Sequence, residues 1–160
     1  MPRIMNIEKN ILLEVNLLSN PYLDIDFSRE DFENWVPFDL NICIEEERYS
    51  YNPESGATFT LYELSSLITQ LNNIIKLKSE KSEIKKVLFS SSEGYFDLTI
   101  YDPLEENLVG LEVWINMGTL TQGKSCGYNK GIQFDAQLNE IKVFTEQLTE
   151  QLNLILNKIK

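Results

Sequence analysis

Residues 59–77, Phe-Thr-Leu-Tyr-Glu-Leu-Ser-Ser-Leu-Ile-Thr-Gln-Leu-Asn-Asn-Ile-Ile-Lys-Leu, contain the clearest structural signal in this chain. Thr60 and Glu63 have the spacing of a capping box, in which each side chain bonds a backbone N–H at the start of a helix. Phe59 and Leu64 flank them at hydrophobic-staple positions. Apolar residues then recur at spacings of three and four, which predicts an amphipathic helix with one buried stripe: Leu61, Leu64, Ile68, Leu71 and Ile75.

A second amphipathic helix is predicted at the C-terminus, with Asp135 as its N-cap. Its apolar stripe consists of Leu138, Ile141, Phe144 (or Val143), Leu148, Leu152, Ile155 and Ile159. Both helices follow short extended segments, and each is introduced by a phenylalanine followed by a capping residue.

The remaining sequence predicts strands at 10–18, 38–45, 87–91, 95–101, 109–117 and 132–134, because apolar and polar residues alternate there. Residues 22–36 lack a clear period and are expected to be irregular, with one short turn of helix. The turns at 92–94 and 102–107 are short enough for antiparallel hairpins. We therefore expect one α+β domain over residues 1–160, with an antiparallel sheet of five to six strands and two long helices packed on one face.

Composition excludes several classes of function. The chain has 14 Lys and Arg against 25 Asp and Glu, a formal charge of −11, which disfavours nucleic acid as a partner. It has no histidine, so histidine-based triads and zinc sites are excluded. No apolar run approaches the length of a membrane span, and the N-terminus lacks a signal-peptide pattern. We expect a cytoplasmic protein without a membrane partner, existing as a monomer or weak homodimer.

The negative charge is concentrated in the first half of the chain. Residues 10–75 contain twelve acids against Arg29 and Arg48, a net −10. One interpretation of this clustering is a solvated surface that keeps the protein soluble, and the alternative is a docking face for a basic partner. Interleaved aromatic residues favour the alternative, because aromatics often anchor interfaces: Tyr22, Phe27, Phe32, Trp35, Tyr49 and Tyr51. The candidate partner-binding residues are Asp24, Asp26, Asp31, Glu33, Glu45, Glu46 and Glu47.

Other motifs carry weaker predictions. Gly118–Ser125 matches the phosphate-binding pattern G-x-x-x-x-G-K-S, but the residues after it are a poor start for the helix that such a loop needs. The pairs Asp24/Asp26 and Glu45/Glu47 are read as solvated acids, and Cys126 as an inert thiol with no histidine to activate it. We expect no catalytic residue, no metal site and no cofactor.

Several segments resemble the WapI-type bacterial immunity proteins. These are Phe59–Leu64 at the start of a helix, Tyr95–Ile100, Leu111–Ile115, and Phe134 leading into a long C-terminal helix. The likeness spans roughly residues 38–155 in layout. It implies a non-enzymatic cytoplasmic protein that binds a delivered toxin domain, often a nuclease with a basic cleft.

Two alternatives remain open at this stage. One is a small ligand-binding or enzymatic domain that uses the glycine-rich segment 118–131 as a lid over a pocket. The other is an interaction module whose partner is not a toxin.

Overall fold

The structure, a computed structural model, describes residues 1–51, 56–120 and 129–159. Its strands are β1 (Arg3–Met5), β2 (Ile11–Leu17), β3 (Trp35–Ile44), β4 (Glu47–Tyr51), β5 (Thr58–Thr60), β6 (Val87–Ser90), β7 (Phe96–Tyr101), β8 (Leu108–Asn116) and β9 (Asn129–Gln137). Its helices are α1 (Leu61–Ser79), the short α2 (Met117–Leu120) and α3 (Leu138–Ile159), with a 3-10 turn at Asp31–Glu33. The predicted α+β class is confirmed.

The strands form two antiparallel sheets, where the sequence led us to expect one. The first has the order β1-β2-β3-β4, with β5 pairing the N-terminal end of β3. The second is a meander in the order β6-β7-β8-β9. The added strands β1 and β4 are short or rich in polar residues, so their sequences lack the alternation that marks a half-buried strand.

Backbone and side-chain contacts join the two sheets. Asn6 forms a bridge with Ala136 beyond the end of β1, and the backbone N–H of Ile7 donates to the carbonyl of Asp135 at 3.1 Å. At another point the buried Tyr51 hydroxyl lies 2.9 Å from the carbonyl oxygen of Tyr95 and 2.7 Å from that of Asn116. The inner faces of both sheets and the apolar stripes of α1 and α3 contribute to one hydrophobic core.

Helix α1 begins where the capping box predicts. Thr60 Oγ1 accepts from the backbone N–H of Glu63 at 3.1 Å, and a Glu63 carboxylate oxygen accepts from the backbone N–H of Thr60 at 2.7 Å. The other Glu63 oxygen accepts from the backbone N–H of Ser92, between β6 and β7. At its other end, buried Lys78 pairs with Asp102 at 2.8 Å. The helix is therefore tied to the second sheet at both ends.

Helix α3 packs on α1 and contacts strands of both sheets. Its predicted stripe is largely confirmed: Ile141, Phe144, Leu148, Leu152 and Ile155 are buried, whereas Val143 and Ile159 are exposed. The prediction of Asp135 as the N-cap is wrong. Strand β9 pairs with β8 as far as Gln137 opposite Leu108, so the ladder keeps Asp135 extended.

Candidate functional site

The candidate acidic residues form two groups at opposite ends of β3. Asp24, Asp26, Asp31 and Glu33 precede the strand, whereas Glu45, Glu46 and Glu47 follow it. All seven are exposed. Because β3 runs from Trp35 to Ile44, its two ends lie about 30 Å apart at about 3.3 Å per residue. The structure therefore presents two separate acidic surfaces, which we call the acidic loop (residues 20–34) and the hairpin tip (residues 45–47).

The acidic loop is irregular, as the sequence predicts, yet it is held at defined points. Asp24 and Trp35 exchange backbone hydrogen bonds of 3.0 and 2.7 Å. Between these two residues, Asn34 is buried, with 1% of its surface exposed. Its side chain accepts a hydrogen bond from the backbone N–H of Asp26 at 2.7 Å and donates one to the carbonyl of Glu30 at 3.0 Å. These contacts give the loop one conformation from which its acids project.

Local hydrogen bonds lower the pKa of two of its carboxylates. Asp24 receives two hydrogen bonds from the Arg29 guanidinium, at 2.6 and 3.1 Å, which lower the pKa of Asp24. Asp26 accepts from the hydroxyl of Ser28 at 2.7 Å and from its backbone N–H at 2.9 Å, and these bonds lower the pKa of Asp26. Asp31 lies in the 3-10 turn, exposed to solvent.

The aromatic side chains of the acidic loop are exposed to solvent. Tyr22, Phe27 and Phe32 are 49%, 52% and 61% exposed. These three rings are exposed within one short segment, and aromatic side chains are frequent anchors of protein interfaces. Of the other aromatics considered from the sequence, Trp35 and Tyr49 are half-buried and Tyr51 belongs to the core.

The hairpin tip has a different character. Glu45 adopts a φ of 52° in the two-residue turn between β3 and β4, a conformation that favours glycine. Glu47 pairs with Lys130 of β9 at 2.7 Å and accepts a hydrogen bond from the Tyr49 hydroxyl. Both contacts lower the pKa of Glu47, and the contact with Lys130 has the larger effect. The Lys130 ammonium also lies 4.1 Å from the centre of the Tyr49 ring. Part of the negative charge of the tip is therefore compensated within the molecule.

The motifs set aside in the sequence remain unassigned. Gly118 lies in α2, but residues 121–128, which contain Lys124, Ser125 and Cys126 of the glycine-rich segment, lie outside the described residues. Across residues 1–51, 56–120 and 129–159, no group of three acidic or cysteine side chains is arranged to hold a metal ion.

Comparison with known proteins gives a match to one protein family. The model of the immunity protein WapI-like family matches residues 3–155, nearly the whole chain. The chain belongs to the WapI-like immunity protein family. Membership implies immunity against a toxin and suggests an inhibitor rather than a catalyst. Neither the curated proteins nor the solved structures that were compared contain a match. Among the described helices of this WapI-like protein, none is both long and apolar enough to cross a membrane.

Sequence reasoning missed two residues that shape the acidic surfaces of this WapI-like protein. Asn34 organises the loop, but an asparagine before an apolar strand is too common to signal a buried hydrogen-bonding role. Lys130 forms an ion pair with Glu47, which is 83 positions away in the sequence, and no local sequence pattern indicates such a contact.

Proposed function

We propose that this WapI-like immunity protein neutralises its toxin by covering a basic substrate-binding cleft with an acidic surface, as expected for a nuclease-type toxin. The inhibitor acts in the cytoplasm, without catalysis or a cofactor, and does not bind nucleic acid or membranes. The partner-binding residues are those selected from the sequence: Asp24, Asp26, Asp31, Glu33, Glu45, Glu46 and Glu47.

The observation that carries the proposal is the composition of the acidic loop. Its five acids and single arginine give a net charge of −4, and three exposed aromatic rings lie in the same segment. Carboxylates offered to a cleft that normally holds phosphate would compete with substrate through the same cationic groups. The aromatic side chains would supply contact area that charge alone does not.

The order of the loop strengthens the argument. Because Asn34 and the Asp24–Trp35 bridge hold it before binding, less conformational entropy is lost when the partner docks. A net charge of opposite sign also speeds the encounter at low ionic strength. We expect the acidic loop to contribute more than the hairpin tip, because the loop keeps a net charge of −4 with Arg29 counted, whereas Lys130 compensates one of the three acids of the tip.

The test compares three double charge reversals, each changing the net charge from −11 to −7. The loop variant is Asp31→Lys with Glu33→Lys, and the tip variant is Glu45→Lys with Glu46→Lys. The control is Glu146→Lys with Glu150→Lys, two exposed positions on α3. Association with the purified cognate toxin domain is followed by stopped flow at low and high salt.

We expect the loop variant to reduce the association rate by about tenfold or more at low salt, the tip variant less, and the control by less than about threefold. The differences should shrink as salt screens the charges. An equal reduction of the association rate in all three variants would show that the rate depends only on the net charge of the protein. Failure of the wild-type chain to bind the toxin or to protect cells that produce it would overturn the proposal itself.

A further inference from the structure

The outer face of the second sheet is the surface that the proposed function leaves without a role. Residues on β8 alternate so that Val109, Leu111, Val113 and Ile115 are buried, while Glu112 and Trp114 point to the opposite face. On the neighbouring strands the same outer face contains Leu88, Asp97, Tyr101 and Gln133, with Leu88 63% exposed.

Trp114 is held in a fixed orientation on this face. Gly131 lies directly opposite it on β9, and a Cβ atom at Gly131 would lie 2.7 Å from the indole ring. The ring therefore packs against the β9 backbone in space that a side chain would fill. Its Nε1–H donates to Glu112 Oε1 at 2.6 Å, yet Trp114 remains 41% exposed. One face of the indole lies against the strand, which leaves ring surface open to solvent.

Tyr101 repeats this arrangement on the neighbouring strand β7. Gly110 lies directly opposite it on β8, and a Cβ there would lie 2.3 Å from the Tyr101 ring. The Tyr101 hydroxyl accepts a hydrogen bond from the Gln133 side-chain amide at 2.7 Å, across the width of β8. Two aromatic rings thus lie across glycines of adjacent strands and form a preorganised platform.

The charges on this platform have one sign. Asp97 lies directly opposite Trp114, Glu112 receives the indole hydrogen bond, and Asp135 lies opposite Gly110. Within β6 to β9 as described, no outward-facing position carries a lysine or arginine, because Lys130 lies on the inner side with Ile132. A cation placed over the indole would meet the ring quadrupole and two neighbouring carboxylates together.

We propose that this face is a second docking surface for the same basic toxin, with Trp114 as the platform for an arginine or lysine side chain of the toxin and Asp97 and Glu112 as its counter-charges. The inference rests on the proposed function and adds a contact that the sequence did not suggest. A shallow groove of about 220 Å³ beside the ring, lined by Glu112, Trp114, Gly131, Ile132 and Gln133, gives such a side chain a place to lie.

Affinity measurements with the purified toxin domain test the surface directly. Trp114→Ala should weaken binding by about tenfold or more, as expected for an aromatic anchor. Leu154→Ala removes a similarly exposed apolar side chain from α3 and should change the dissociation constant by less than twofold. The double variant Asp97→Asn/Glu112→Gln keeps the shape of the face and a hydrogen-bond acceptor for the indole N–H. It should weaken toxin binding by about fivefold, and it tests the surface even if Trp114→Ala folds poorly.

Fluorescence gives an independent readout, because Trp35 and Trp114 are the two tryptophans of the chain. In a Trp35→Phe background, saturation with toxin should shift the Trp114 emission as the indole loses solvent. Normal affinity of the Trp114→Ala and Asp97→Asn/Glu112→Gln variants, with unchanged emission, would overturn this inference and leave the proposed function standing. Self-association of the wild type that is lost in Trp114→Ala would assign the face to a second copy instead. Absence of toxin binding by the wild type would overturn both proposals.

Discussion

Replacing Asn34 by alanine should loosen the acidic loop and destabilise the protein. The Asn34 side chain is buried and bonds two backbone groups, the N–H of Asp26 at 2.7 Å and the carbonyl of Glu30 at 3.0 Å. Each bond lost leaves a polar group without its partner, at a cost of about 1–1.5 kcal/mol, so the free energy of unfolding should fall by about 2–3 kcal/mol.

Two measurements separate local from global effects. Urea denaturation reports the free energy of unfolding, and hydrogen exchange of the amides in residues 24–35 reports opening of the loop. If the loop opens while the core stays folded, exchange at Asp26 should accelerate by more than the global loss of stability explains. Toxin association should slow as well, because the carboxylates are no longer held in one arrangement.

The matched control is Asn73→Ala, an exposed asparagine on α1. Alanine is the better helix former, so this variant should be no less stable than the wild type. A loss of less than about 0.5 kcal/mol in Asn34→Ala, with unchanged exchange in the loop, would refute the role given to this side chain.

Three further predictions concern residues that stabilise the fold supporting these surfaces. Lys78→Met should destabilise the protein at neutral pH by about 1–3 kcal/mol, because the half-buried Asp102 carboxylate loses its cation and keeps only the backbone N–H donors of Ile84 and Leu104. In the wild type, the hydrogen bond from Lys78 lowers the pKa of Asp102 in the folded state. The stability that this ion pair contributes is therefore present above the unfolded pKa of about 4 and is lost as the pH falls through the folded pKa. Urea denaturation at a series of pH values from 7 to 2 should show this loss of stability. Glu45→Gly should stabilise the protein by about 0.5–1 kcal/mol in thermal unfolding, because glycine accepts the positive φ without steric strain. Glu63→Ala should lower the free energy of unfolding by more than the ~1 kcal/mol of a simple cap, since Glu63 also accepts from Ser92, and a smaller loss in urea denaturation would contradict that tie.

Much of the fold was predictable because its signals are local. The capping box at Thr60 and Glu63 specifies a helix start through groups three residues apart, and the structure has both bonds. The alternation at 95–101 and 109–117 predicted two strands whose bounds differ from the structure by one residue. The Asp135 N-cap failed for a reason that is not local: pairing with β8 extends β9 to Gln137 before α3 can begin.

The candidate site divides in the same way. That the acids are numerous, exposed and accompanied by aromatics follows from residue type and spacing. That β3 separates them into two surfaces, and that Lys130 compensates Glu47, depends on strand length and on contacts between the sheets. The role of Tyr51 as a core residue likewise depends on acceptors at Tyr95 and Asn116, far along the chain.

The sequence by itself determined the α+β class, the two amphipathic helices, the acidic character and the resemblance to the immunity family, because periodicity, capping and charge are written within a few residues of one another. Only the tertiary structure decided that the strands form two sheets, that the acids lie at opposite ends of β3, and that Trp114 lies over Gly131. These features depend on register and on closure of long chain segments, whose free energy is a sum over contacts between distant residues.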